Sequence, residues 1–427
     1  MVDDISGFGM CQVFDLGCRL AGRSSIWYSA NRSWIGFNVK ADTKKLLITN
    51  CRLAATQAND VTTSILIENG IISRIGPISK AQCDGAHVLD ARGTIAAPGF
   101  IDVHIQGAGG ADVLDGTKES LTTIAQTCAR FGTTGFLATT VYRLGQQNKQ
   151  IALTAEHVGA DLGGANLLGI HLEGPFISSG KRGMIGPDCV AEPSLRLLDE
   201  ILEMAKGQLR IMTIAPELPG SLDIVHRLTK RGVIASFGHS NASYEETVSG
   251  FGAGITHVTH LFNAMSSLHH RAPGPLAAIF ETRYVTAQLI ADGLHIHPAV
   301  LKLAFELLGE TRAVAITDGM QAMGLGDGKY IYNGTEYECK GGSARTKDGT
   351  LIGTAIGLDE MVSRLTKFTG CAFETAVKTV TENPARLLGL HHRKGSIAPA
   401  KDADIVLLDH AGSVHTTIVG GRIVFQK

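Results

Sequence analysis

Leu167-Leu168-Gly169-Ile170-His171-Leu172-Glu173-Gly174-Pro175 is an apolar run that stops on a carboxylate and a forced turn. Leu167–Leu172 has the length of a buried strand, and Gly-Pro breaks whatever precedes it. One such unit decides little. Seven further runs share the shape: Gly99–Ile105, Gly135–Val141, Arg210–Ala215, Gly232–Phe237, Gly254–Val258, Val285–Ala291 and Ala313–Thr317. Several are apolar on both faces, as strands covered on both sides must be. Segments between them, such as Ser194–Lys206 and Asp223–Arg231, carry the spacing of amphipathic helices. Eight βα units across residues 99–386 predict an α/β fold, a (β/α)8 TIM-like barrel. A doubly wound sheet is the rival. It gathers its site at one switch point, whereas polar clusters here follow at least six runs, always at the C-terminal end, where a barrel has its mouth.

Outside the barrel the texture changes. Lys45–Asn50, Ser64–Glu68, Ile71–Ile75 and His87–Asp90 read as short strands, with Asn69-Gly70 as a hairpin turn. Ala403–Leu408, Thr416–Val419 and Arg422–Phe425 repeat that texture at the other end, with a turn at Gly420-Gly421. We therefore expect a small β-sandwich domain built from both chain ends, residues 45–98 plus 387–427. Residues 1–44 hold both tryptophans and no clear periodicity. Asp3 and Asp4 stand where a signal peptide would be basic, so an atypical, disordered extension is expected there.

Composition narrows the function classes. With 44% hydrophobic and 19% charged residues the chain can build a core. A net charge of −1 leaves no electrostatic footprint for nucleic acid or an anionic membrane. No apolar run approaches the roughly 18 residues of a membrane span. The eight cysteines are scattered without a C-x-x-C pair, which disfavours a thiolate zinc site and suits a reducing cytoplasm.

The strand ends carry the chemistry. Glu173 follows the third run; His239 and His260 close the fifth and sixth. A single His there is more often a hydrogen-bonded structural residue, and a lone acid is as often a helix cap. Two His and an acid together match the three N/O ligands of a catalytic zinc that keeps one position for water. Asp318 closes the eighth run, where a carboxylate can take a proton from metal-activated water or simply cap a helix. Arg271 and His295 point to an anionic or hydroxylated substrate. His269, His270 and His297 read as structural.

Pro98-Gly99-Phe100-Ile101-Asp102-Val103-His104 and Gly395-Ser396-Ile397-Ala398-Pro399-Ala400-Lys401-Asp402-Ala403-Asp404 resemble the first barrel strand and the closing segment of the amidohydrolase superfamily. Within it, His171–Phe176, Gly238–Ser240, His260–Met265 and Asp348–Leu351 look like the N-acetylglucosamine-6-phosphate deacetylase family. The resemblance implies one divalent metal per subunit on Glu173, His239 and His260. Zinc comes first, and iron, manganese or cobalt also suit such donors. It implies Asp318 as the acid/base and a small amino sugar phosphate as substrate. Met184, Asn263, Ala264, Arg271, His295, Leu351, Ile352 and Gly353 are its implied contacts, the phosphate being held partly across a homodimer interface. Two positions depart from the pattern. His104-Ile105-Gln106 replaces a His-x-His pair, so His104 is kept only as a contact to a weak second metal or to substrate. Ile185 stands where a sugar-binding His is frequent, so N-acetylgalactosamine 6-phosphate or another N-acyl amino sugar phosphate is an alternative substrate. A catalytically inactive scaffold is the alternative from another class.

Overall fold

The computed structural model describes residues 44–54 and 61–427. The expectation for residues 1–44 therefore falls, apart from Lys44, outside the described residues. Among the described residues the eight runs become eight parallel strands in one sheet, ordered as in the sequence. They are β1 (Phe100–Ile105), β2 (Thr133–Thr140), β3 (Asn166–Glu173), β4 (Leu209–Ile214), β5 (Ile234–Phe237), β6 (Ile255–Val258), β7 (Thr286–Leu289) and β8 (Ala313–Ala315). The outer edges of β1 and β8 meet: Asp318 N–H donates to His104 O at 3.0 Å and Gln106 N–H to Gly319 O at 2.9 Å. The architecture is that of a TIM-like barrel. Every residue of β1 and β2 is buried, which is why their sequences lack alternation.

Helices separate the strands. The one expected over Ser194–Lys206 forms as α1 (Leu195–Met204), capped by Ser194 Oγ. The next, α2 (Ser221–Lys230), starts two residues before the expected Asp223, behind the left-handed Gly220. α3 (Tyr244–Ala253) opens on a capping box in which Ser243 and Glu246 satisfy each other's backbone N–H groups at 2.8 and 3.1 Å. His297 caps α4 (Pro298–Arg312), accepting from Ala299 N–H. His269 and His270 lie exposed.

Strands from both chain ends join a second, mixed sheet. Ile95–Pro98 pairs antiparallel with Ile405–Leu408 and parallel with Lys45–Leu53. The hairpin expected at Asn69-Gly70 forms with both turn residues at positive φ, 53° and 78°, the pairing such a two-residue loop demands. Leu46, Ile48, Ile65, Ile67, Ile405, Leu407 and Ile418 share its core.

One element has no counterpart among the expectations. Between β8 and the helix Leu358–Thr369 lies a four-stranded antiparallel sheet: Gly328–Tyr332, Thr335–Lys340, Ser343–Thr346 and Leu351–Thr354. Its signal was present as Asn333-Gly334 between two alternating stretches, the same hairpin sign as at Asn69-Gly70. Among the described residues no helix is long and apolar enough to cross a membrane.

Candidate metal centre and substrate cavity

The strand ends deliver four side chains to one place. Glu173 is the last residue of β3; the other three follow β5, β6 and β8. His239, His260 and Asp318 have φ of 48°, 26° and 47°, a region that costs a non-glycine residue about 1–2 kcal/mol. Neighbouring backbone holds them there. Ser178 N–H donates to His239 O at 2.9 Å, and Leu261 N–H to Gln288 O at 2.9 Å. Asp318 is clamped from both sides, by its N–H to His104 O and by Thr354 N–H to its own carbonyl at 2.9 Å.

Ligand atoms of Glu173, His239 and His260 lie within 4.8 Å of one another, and all three residues are buried. Glu173 Oε1 is 3.0 Å from His239 Nε2 and 2.9 Å from His260 Nε2, and the two Nε2 atoms are 3.1 Å apart. The Nδ1 of His239 donates to Lys181 O at 2.7 Å, which leaves its Nε2 as a bare lone pair aimed inward. Two imidazole nitrogens and a carboxylate oxygen converging in this way suit a shared cation, and imidazole with carboxylate is the donor chemistry of zinc-type sites.

Burial works against charge at Glu173. The nearby His104, with the His239 and His260 rings in contact, outweighs it and holds the carboxyl well below the usual range. His104 shows the converse. Burial pushes it down, but the carboxylates of Asp318 and Glu173 raise it to about 9. Its Nε2 is 3.3 Å from Asp318 Oδ1 and 3.7 Å from Glu173 Oε1, while Nδ1 meets Gln288 Oε1 at 3.0 Å. Gln106 Nε2 lies 3.4 Å from Glu173 Oε2 and 3.3 Å from Asp318 Oδ1. The departure at Gln106 thus puts an amide donor between two carboxylates.

A cavity of about 310 Å³ opens on this group. Of the expected substrate contacts, Met184, Asn263, Ala264, His295, Leu351 and Ile352 line it. His295 Nδ1 is held by Asp292 Oδ2 at 2.7 Å. Three expected residues do not line it. His104 is fully buried behind the carboxylates. Gly353 stands behind the wall, where a Cβ would come within 2.5 Å of Asp318 O. Arg271 is exposed, because its loop runs out over the surface, and its guanidinium donates to His270 Nε2 at 2.7 Å. His171, quoted beside Glu173 in the motif, points into the barrel, bonded to Val103 O and Thr213 Oγ1.

Lys181, Thr350 and Tyr332, outside the expected contacts, also line the cavity. Lys181 lies in the loop after β3, its Nζ on Met265 O at 3.2 Å. Tyr332 ends the first strand of the inserted sheet, and Thr350 sits in the turn before its last strand.

A barrel with metal-type ligands at the ends of β3, β5 and β6 and a carboxylate after β8 is the layout of a metal-dependent hydrolase. The model of the amidohydrolase family matches residues 95–424, and the chain belongs to that family. Among its relatives, the N-acetylglucosamine-6-phosphate deacetylase of Bacillus subtilis (strain 168) is 35% identical over 376 residues, 86% of this chain and 95% of the relative. The N-acetylgalactosamine-6-phosphate deacetylase of Escherichia coli O157:H7 is 33% identical, over 84% of this chain and 93% of the relative. A mutant N-acetyl-D-glucosamine-6-phosphate deacetylase of Mycobacterium smegmatis, solved in complex with N-acetyl-D-glucosamine-6-phosphate, superposes with a TM-score of 0.81 at 29% identity. It covers 90% of this chain and 100% of that one.

Proposed function

We propose that this chain removes acetate from N-acetylglucosamine 6-phosphate, leaving glucosamine 6-phosphate. The observation that carries the reading is the convergence of Glu173, His239, His260 and Asp318 on one cavity, in a chain 35% identical to a deacetylase of that substrate.

A single divalent cation on Glu173, His239 and His260, zinc before iron, manganese or cobalt, supplies the polarisation that activates water and an amide carbonyl. Asp318 takes the proton of the attacking water on its carboxylate and returns it to the amine nitrogen as the C–N bond breaks. His295, oriented through Asp292, lines the cavity and is assigned to the acetamido end of the substrate. For the phosphate, support comes from the backbone around Asn263 and Ala264. Asn263 and Ala264 both line the cavity just beyond His260. Met184, Leu351, Ile352 and Gly353 belong to the sugar wall or its support. Arg271, exposed and outside its own cavity, is assigned to the phosphate of a neighbouring subunit in a homodimer. His104 remains the candidate for a weak second metal contact. Six described cysteines without disulfides support a cytoplasmic setting. The terminal sheet, residues 45–98 with 387–427, is read as a sandwich domain beside the barrel of residues 99–386, on the support of its shared core.

The galactosamine epimer is the second reading. Ile185 lines the cavity and offers no hydrogen bond, and one relative acts on that epimer by name. The inactive-scaffold reading has no support, since every ligand position and the acid/base position is filled. Acetate release from both epimers is the test, before and after chelation and on restoring zinc. Faster turnover of the gluco epimer, lost on chelation and regained with zinc, is expected. A strong preference for the galacto epimer overturns the named substrate, and no release from either overturns the reading.

A further inference from the structure

Most polar groups lining the cavity are already engaged. Glu173 meets two imidazoles, Gln106 lies between two carboxylates, Lys181 is on Met265 O, and His295 is on Asp292. Asn263 Nδ2 donates to His260 O and Leu261 O at 3.3 and 3.2 Å. Tyr332 differs. It is 4% exposed and lines the cavity, yet its hydroxyl makes no hydrogen bond with any described residue. The other two tyrosines of the inserted sheet have partners: Tyr330 donates to Gly326 O at 2.9 Å, and Tyr337 accepts from Ala322 N–H at 3.3 Å. A phenol on an almost wholly buried ring that lines the cavity without a protein partner has a bound molecule as its natural partner, since polar groups at buried positions are as a rule hydrogen-bonded.

The position is also pre-organised. The Tyr332 ring packs in the cluster of Met320, Tyr337, Cys339 and Ile352. The turn that follows is tied to the barrel by the Arg143 guanidinium, which donates to the Asn333 side chain. Burial, with the charges of Asp112, Glu173 and Asp318 nearby, pushes the phenol well above its ordinary range, so it stays an O–H donor.

We propose that Tyr332 determines specificity by hydrogen-bonding the C3 or C4 hydroxyl of the amino sugar ring; this rests on the deacetylase reading above. The acetamide is met by the metal ligands and His295. The phosphate is assigned to the Asn263–Ala264 segment and to Arg271 of a neighbouring subunit, with the Lys181 ammonium lining the same cavity. A ring hydroxyl wants a partner that donates and accepts, and the other side-chain hydroxyl lining the cavity, on Thr350, is exposed. The anomeric hydroxyl, free to take either configuration, is a poor target for a rigid phenol. A site built to bond a hydroxyl rejects the analogue that lacks it, because its own buried group is then left unpaired.

The test compares wild type with Tyr332→Phe on N-acetylglucosamine 6-phosphate and on its 3-deoxy and 4-deoxy analogues. The variant keeps the ring, so its melting temperature and metal content should match wild type. Its KM on the parent substrate should rise about tenfold with kcat within about threefold. On one deoxy analogue wild type should show that same loss and Tyr332→Phe no further loss, the mark of a shared bond. Unchanged kcat/KM in the variant, or losses that simply add on both analogues, overturns the assignment while leaving the deacetylase reading intact. No turnover of the parent by wild type overturns both.

Discussion

Replacing Asp318 by asparagine separates proton transfer from everything else this residue does. Asp318 Oδ1 accepts at 3.3 Å from Gln106 Nε2 and lies 3.3 Å from His104 Nε2, and an amide oxygen can occupy the same place. The backbone clamp, from His104 O to Thr354 N–H, does not involve the side chain. Asparagine tolerates the left-handed φ of 47° better than most residues. Asp318 is also outside the three-residue metal cluster. Folding and metal content should therefore be preserved. What disappears is a carboxylate able to take and return a proton. General base catalysis is worth about 10²–10⁴-fold, or ~2.7–5.5 kcal/mol of barrier. Acetate release by Asp318→Asn should fall by that factor, measured at equal metal content beside a thermal melt. Turnover within about threefold of wild type would refute the proton-carrier role.

Two further outcomes test the scaffold. His257 is fully buried in β6, its Nδ1 2.7 Å from Thr286 Oγ1 and its Nε2 without a partner. Burial, helped by His104, lowers it to about 3. The unfolded chain binds that proton below pH ~6.5 while the fold refuses it, so stability is lost as pH falls from about 6.5 towards 3. At pH 5 the cost is about 2 kcal/mol. His257→Asn should narrow the gap in melting temperature between pH 7 and pH 5, and an unchanged gap argues against it. At Gly353, with φ of 143° and Asp318 O only 2.5 Å from a would-be Cβ, substitution to alanine must move Asp318 or the inserted sheet. A destabilisation of roughly 1–3 kcal/mol with a fall in kcat is expected; wild-type stability together with wild-type kcat would contradict the close approach.

The barrel was legible because burial on both faces writes itself into composition. β1 and β2 carry no exposed polar face because every residue is inside, and the turns after them need glycine, proline or a polar cap. The terminal hairpins were legible for a related reason: Asn-Gly and Gly-Gly supply the positive φ of a two-residue turn. The inserted sheet is not legible in this way although Asn333-Gly334 carries the same sign, because it interrupts the βα alternation at the eighth unit. Its strands are half exposed and polar, as at Thr335–Lys340, and give no buried run to count.

Residue types and order alone determined the fold class and the metal-type triad, since ligand chemistry admits few side chains and strand ends are marked by the turns that follow them. Only the tertiary structure decided which of these residues share a cavity. Arg271 and Ala264 are a few residues apart, yet one is exposed and the other lines the cavity, because the loop between them leaves the barrel mouth. Tyr332 arrives from the inserted sheet after β8 and Lys181 from the loop after β3, more than a hundred residues apart in the chain, and no local spacing encodes that meeting. Barrel closure, through His104 O and Gly319 O, brings both ends of the catalytic domain to one mouth, and with it sets Asp318 beside Glu173.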